Sequence, residues 1–91
     1  MYKKPYRAKT IREKSVGNIQ DYLNYKSIYK LIKKHSPNTI EFFEDKDDPW
    51  FVHVITYSNK TGKITDSSMI IASDVESWKT HLLHLDYKLN N

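Results

Sequence analysis

The octapeptide Trp50-Phe51-Val52-His53-Val54-Ile55-Thr56-Tyr57 constrains the fold more than any other part of the chain. In an extended conformation successive side chains point to opposite faces. Trp50, Val52, Val54 and Thr56 then line one side, and Phe51, His53, Ile55 and Tyr57 the other. Bulky groups on both sides call for a strand placed centrally in a sheet. Ser58 to Gly62 reads as a hairpin loop, with Gly62 free to take the positive φ such turns need. Lys63 to Ala72 is the return strand, ending in the apolar Met69-Ile70-Ile71. Upstream, Thr39 to Glu44 carries Ile40, Phe42 and Phe43 and reads as a first strand, joined to the octapeptide by an acidic turn, Glu44 to Pro49.

Two helices are expected around these strands. Ser73-Asp74-Val75-Glu76 fits a capping box, and Val75, Trp78, Leu82, Leu85 and Leu89 follow at 3/4 spacing down a final amphipathic helix. An earlier helix is expected after Gly17, with Asn18 as N-cap and Asp21 placed to meet the helix dipole. Ile28, Leu31, Ile32 and His35 recur at i, i+3, i+4, i+7, which puts Lys26, Lys30, Lys33 and Lys34 together on the opposite face. Ile19 and Leu23 project onto the lysine side, so a break or change of direction near Asn24, or else a second contact for those two, is expected. Ser36-Pro37-Asn38 closes the segment, because proline cannot continue the hydrogen-bond ladder.

The expected architecture is therefore α+β, in the order α-β-β-β-α. Residues 1–17 form a basic N-terminal arm, and residues 18–91 form one small domain, a three-stranded antiparallel sheet with helices on one face. Trp78, Leu82 and Leu85 should meet alternate residues of the octapeptide strand together with Met69 and Ile71. The other sheet face should stay open, and its apolar character marks it as a protein-contact surface.

Charge is divided unevenly along the chain. Residues 1–35 hold ten of the fifteen Lys/Arg against Glu13 and Asp21, a net +8, while residues 36–91 hold five against nine carboxylates, a net −4. Five of the seven tyrosines also fall in the basic part. There is no cysteine, which excludes disulfides and thiolate-metal sites and favours a reducing compartment. No apolar run follows the basic N-terminus, and none is long enough for a membrane span. A cytoplasmic protein that makes no membrane contact is expected.

No catalytic or cofactor signature emerges. His81 and His84 stand at i, i+3, but zinc wants three or four protein ligands and no third partner has a recognisable spacing. The acidic turn lacks the alternating oxygen ligands, sixth-position glycine and twelfth-position glutamate of a helix–loop–helix calcium site. No serine sits in a glycine-flanked elbow, and Gly17 and Gly62 are too isolated to cradle phosphate. A non-enzymatic protein without cofactor is expected.

The basic residues carry the functional expectation. Lysines neutralise phosphates and release condensed counterions, and Tyr and Arg planes stack on bases. Lys3, Lys4, Arg7, Lys9, Arg12 and Lys14 of the arm, with Lys26, Lys30, Lys33 and Lys34 of the helix, form the expected nucleic-acid-binding set, for DNA or RNA. A protein partner or a homodimer is the other class of contact.

Three resemblances of layout go with these readings. The helix–strand–strand–strand–helix order over residues 18–89 resembles the double-stranded-RNA-binding domain. That family grips phosphates with lysines at the start of its second helix, where this chain has Ser73-Asp74-Val75-Glu76. Trp50 to Leu85, through Trp50, Tyr57, Gly62-Lys63 and the closing helix, is similar to the three-strand-plus-helix arm-binding domain of tyrosine integrases. A basic Tyr/Arg tail before a small α/β unit is similar in layout to some phage-encoded anti-CRISPR proteins. That implies an alternative function, a phage or mobile-element inhibitor or adaptor acting through the open sheet face. These likenesses assign no family.

Overall fold

The computed structural model describes residues 17–90. Five strands form one antiparallel sheet: β1 (Ser27–Lys33), β2 (Asn38–Glu44), β3 (Phe51–Ser58), β4 (Ile64–Ile71) and β5 (Tyr87–Leu89), in the order β4-β3-β2-β1-β5. One helix, α1 (Val75–His84), lies between β4 and β5 in sequence and packs on one sheet face. The expected three-stranded sheet with an N-terminal helix is thus corrected to a five-stranded sheet with, among the described residues, a single C-terminal α-helix.

The correction begins at residues 18–35. Asn18 does accept the Gln20 N–H at 3.0 Å, and Asp21 answers by accepting the Asn18 N–H at 3.2 Å. The capped segment is only a 3-10 turn, Ile19–Tyr22. The chain then reverses direction and runs as β1. Its residues alternate: Leu31 is fully buried under α1, while Ile32 remains 37% exposed. The i, i+3, i+4, i+7 pattern was compatible with a helix, but Ile28, Tyr29 and Ile32 are aromatic or β-branched and fit a pleated surface. Pairing with β2 and β5 on both sides decides the competition. The likeness to the double-stranded-RNA-binding domain falls with that helix. The three-strand-plus-helix likeness also falls, since residues 50–85 contain two strands.

β2 and β3 keep the alternation read from sequence. Leu31, Ile40, Phe42, Val52, Val54 and Ile70 form one core with Val75 and Leu82 of α1. On the opposite face, Phe43, Ile55, Tyr57 and Ile64 form a second core covered by Ile19, Tyr22 and Tyr25. This face was expected to be open, and the chain's own N-terminal segment closes it. β2, rather than β3, is the central strand. Ile70 faces α1, whereas Met69 pairs with His53 on the other side and Ile71 is 37% exposed. Trp50 lies just outside β3 and is 70% exposed.

The final helix is shorter than its periodicity suggests. It stops at His84, and Asp86 takes a positive φ of 74° to redirect the chain into β5. Leu85 and Leu89 are each 45% exposed and do not extend the helical core stripe. The expected capping box does not form either. Ala72–Asp74 makes a 3-10 turn, and Asp74 precedes α1 without a side-chain cap. Glu76 instead accepts the Tyr29 hydroxyl at 2.6 Å and pairs with Lys79 at 2.8 Å. These bonds hold the Glu76 carboxyl below its ordinary range, the Lys79 contact contributing most.

Candidate nucleic-acid interface

Antiparallel topology sends successive connections to alternate ends of the sheet. The β1–β2 turn (residues 34–37) and the β3–β4 loop (residues 59–63) share one end. The Asn59 N–H donates to the Pro37 carbonyl at 2.8 Å, and the Thr39 hydroxyl donates to Asn59 Oδ1. His35 supports the tight first turn with a φ of 67°. Lys33 and Lys34 from one connection, and Lys60 and Lys63 from the other, are thereby brought to one end. Lys33 Nζ lies 5.3 Å from the centre of the Tyr87 ring.

The chain joins this same end from its N-terminus. The Gly17 carbonyl accepts the Ile64 N–H at 2.9 Å, and the Ile19 N–H donates to the Gly62 carbonyl at 2.7 Å. The Asn18 amide adds a bond to the Thr61 carbonyl at 3.2 Å. Gly62 has φ +78°, and a Cβ there would sit 3.0 Å from Asn18 Oδ1, so both its conformation and its surroundings favour glycine. The arm residues Lys3, Lys4, Arg7, Lys9, Arg12 and Lys14 lie outside the described residues. By sequence, residues 1–16 carry six Lys/Arg against Glu13, a net +5, and they connect at Gly17.

The opposite end gathers Glu44, Asp45, Asp47, Asp48 and Asp74, from the β2–β3 and β4–α1 connections. Asp45 organises its turn by accepting the backbone N–H groups of Asp47 and Asp48, both at 3.1 Å, and by bonding His53 Nε2 at 2.7 Å. The His53 bond is the main reason the Asp45 carboxyl is held below its ordinary value. His53 also contacts the edges of Tyr22 and Tyr25, at centroid separations of 5.7 and 5.6 Å. Burial is the leading cause of an upward shift in the Tyr22 hydroxyl. This cluster ties the covering segment to the sheet.

The four lysines expected on one helix face do not share a surface. Lys26 precedes β1 at the acidic end, where its carbonyl accepts the Glu44 N–H at 2.9 Å. Lys30 lies mid-strand opposite Glu41. Glu41 is buried and accepts the Tyr57 hydroxyl at 2.7 Å and the Ser27 hydroxyl at 2.5 Å. Burial, then Glu41 itself, pushes the Tyr57 hydroxyl far upward, which keeps it a donor. Only Lys33 and Lys34 of the four reach the basic end. Lys60 and Lys63 join them there and were missed in the sequence. In the sequence they stand in the Ser58–Gly62 hairpin loop and at the start of its return strand, but which end of the sheet that loop reaches relative to Lys33 and Lys34 follows only once β1 is a strand.

His81 and His84 are both exposed on α1, and among the described residues no group of three or more His, Asp or Glu gathers as a metal site would require. Among the described residues no helix is long and apolar enough to cross a membrane. No protein-family model, curated protein or solved structure matches this chain.

Proposed function

We propose that this chain is a small non-enzymatic nucleic-acid-binding protein that grips the phosphate backbone with one end of its sheet. Lys33, Lys34, Lys60 and Lys63 act with the arm residues Lys3, Lys4, Arg7, Lys9, Arg12 and Lys14. One observation carries the reading: two connections distant in sequence deliver four lysines to the end at which residues 1–16 attach, where Asp21 and Asp86 also lie, while Glu44, Asp45, Asp47, Asp48 and Asp74 collect at the far end. Residues 17–90 contain nine lysines against ten carboxylates, a net −1. Attraction to a polyanion therefore rests on how the charge is arranged and on the arm. Such a polarised molecule is steered basic end first toward phosphates.

An inhibitor acting through an open second sheet face has less support. Ile55 is fully buried there and Tyr57 is 9% exposed, beneath Ile19, Tyr22 and Tyr25.

The test is fluorescence anisotropy with short labelled single- and double-stranded DNA and RNA, at ~50 and ~200 mM salt, where phosphate contacts separate clearly. Reversing Lys33, Lys34, Lys60 and Lys63 to Glu should flatten the slope of log affinity against log salt by about 3, given ~0.7–0.9 per phosphate contact. Lys46→Glu, at the acidic end, should change little. Absence of binding at the lower salt, or an unchanged slope in the quadruple variant, overturns the proposal.

A further inference from the structure

The two edges of the sheet are guarded very differently. Exposed edge strands present unpaired backbone groups and are normally blunted by shortness, lysine or proline. β5 meets that description: it has three residues and carries Lys88. β4 does not. Its sequence Ile64-Thr65-Asp66-Ser67-Ser68-Met69-Ile70-Ile71 has no lysine or proline, and Asp66 is its one charge. Among the described residues the outer side of β4 is paired only at its start, where Gly17 meets Ile64 and Asn18 bridges to Lys63. Thr65 to Ile71 form an open edge among the described residues.

The directions of the free peptide groups follow from the ladder. The Ala72 N–H donates inward to the Trp50 carbonyl at 2.7 Å. Alternation in an antiparallel ladder then turns Ile70 and Ser68 inward and Ile71, Met69 and Ser67 outward. The irregularity opposite Thr56 and Tyr57 separates this stretch from Ile64, whose N–H already points outward to Gly17.

We infer that β4 is a dimerisation edge, and that its partner is β4 of a second copy, paired antiparallel about a two-fold axis through Ser68. The open edge is self-complementary in this register. Ser67 meets Met69 and Thr65 meets Ile71 as hydrogen-bonded pairs, while Asp66 faces Ile70 and so avoids its own copy. The partner strand leaves the sheet plane at Ala72, where it would otherwise meet Gly17. The length of the free edge thus matches the length that self-pairing uses.

Charge and apolar surface agree with this arrangement. An antiparallel junction sets the basic end of each copy beside the acidic end of the other, bringing the 59–63 loop toward the partner's Asp74. Both α1 helices then lie on the same face of a ten-stranded sheet. Glu76 and Lys79 reach Tyr29 on the β1 side, so Trp78 and His81 occupy the flank facing β4. Trp78 is 37% exposed there and, with Ser77 and His81, borders a cavity of about 360 Å³. The two flanks face each other across the seam. Lys33 and Lys34 remain outside the seam, whereas Lys60 and Lys63 of the proposed phosphate end lie beside it.

The chain has no cysteine, which makes a single introduced thiol a clean reporter. Ser68 pairs with its own copy at a non-hydrogen-bonded position, where Cβ atoms approach to ~4.5–5.5 Å and a disulfide needs little adjustment. Ser68→Cys under mild oxidation should give a covalent dimer much faster than Lys60→Cys. Sedimentation equilibrium of the unmodified protein should show a concentration-dependent dimer. Ser67→Pro, which removes an outward N–H without touching the β3 ladder, should weaken it by about tenfold or more, with an unchanged far-ultraviolet circular dichroism spectrum. A protein that stays monomeric, or a dimer in which Ser68→Cys crosslinks no faster than Lys60→Cys, overturns the inference.

Discussion

Leu31 and Ile32 provide a direct test of β1, because helix and strand assign them different environments. On a helix both lie within one apolar stripe, and truncating either should cost about the same. In the sheet they point to opposite faces. Leu31 is fully buried among Ile40, Phe42, Val52 and Leu82, whereas Ile32 is 37% exposed beside Lys30 and Lys88. Leu31→Ala removes three carbon atoms, about 2.4 kcal/mol at ~0.8 kcal/mol per buried methylene, and adds a cavity term. A loss of about 3–4 kcal/mol is expected. Ile32→Thr keeps the β-branch, leaves the side chain half wet and should cost less than about 1 kcal/mol. Urea unfolding followed by far-ultraviolet circular dichroism separates the two. With a slope of ~1.5 kcal/mol per molar, Leu31→Ala should lower the midpoint by about 2 M and Ile32→Thr by less than about 0.7 M. Equal shifts would refute the strand assignment and return the segment to a helix.

Two further perturbations probe the N-terminal cover and the acidic turn. Gly62→Ala forces a Cβ onto a residue at φ +78°, 3.0 Å from Asn18 Oδ1 and 3.2 Å from Ile19. It should cost about 1–3 kcal/mol and speed hydrogen exchange at the Ile19 amide, which donates to Gly62. An unchanged melting temperature would mean that residues 17–22 do not lean on the loop. The depressed Asp45 carboxyl makes a contribution that is complete above its ordinary pKa of 3.8 and is lost as pH falls through the lower folded value. Asp45→Asn should therefore be less stable near neutral pH and lose less stability than the natural protein below about pH 4. Parallel acid limbs in thermal melts would contradict the role given to the His53 bond.

The legible parts of this fold are those in which local pattern and tertiary environment agree. β2, β3, β4 and the 59–63 loop lie within a residue or so of their sequence readings, because alternation and Gly62 leave no competing conformation. The first half failed where two periodicities overlapped. Leu31 with Ile28, Ile32 and His35 satisfies a helix, while Tyr29, Leu31 and Lys33 satisfy a strand, and no local term separates them. What separates them is β2 on one side and β5 on the other, and β5 is a three-residue strand that no composition signal marks. The same hidden strand explains why α1 was read too long: Leu85 and Leu89 continue the 3/4 spacing, but Asp86 turns the chain away. The site followed the fold. Four lysines placed together by helical spacing were dispersed by strand spacing, and two others entered through a loop.

The charge split along the chain is real, yet it does not by itself produce a split in space. An antiparallel sheet sorts its connections by parity. The 34–37, 59–63 and 85–86 connections reach one end, and the 45–50 and 72–74 connections reach the other. In this chain the first group carries mostly lysines, with Asp86 among them, and the second mostly carboxylates, and that coincidence makes the molecule polar. The consequence separates arrangement from composition. Exchanging Lys60 with Asp47 and Lys63 with Asp74 leaves the net charge at +4 and alters only exposed side chains. If phosphate binding depended on net charge, this exchanged protein would bind as the natural one does. If it depends on the polarised end, about two phosphate contacts are lost and the salt slope falls by about 1.4–1.8. Equal slopes in the anisotropy titration would show that Lys60 and Lys63 make no phosphate contact and that the polarised placement of the 59–63 loop contributes nothing.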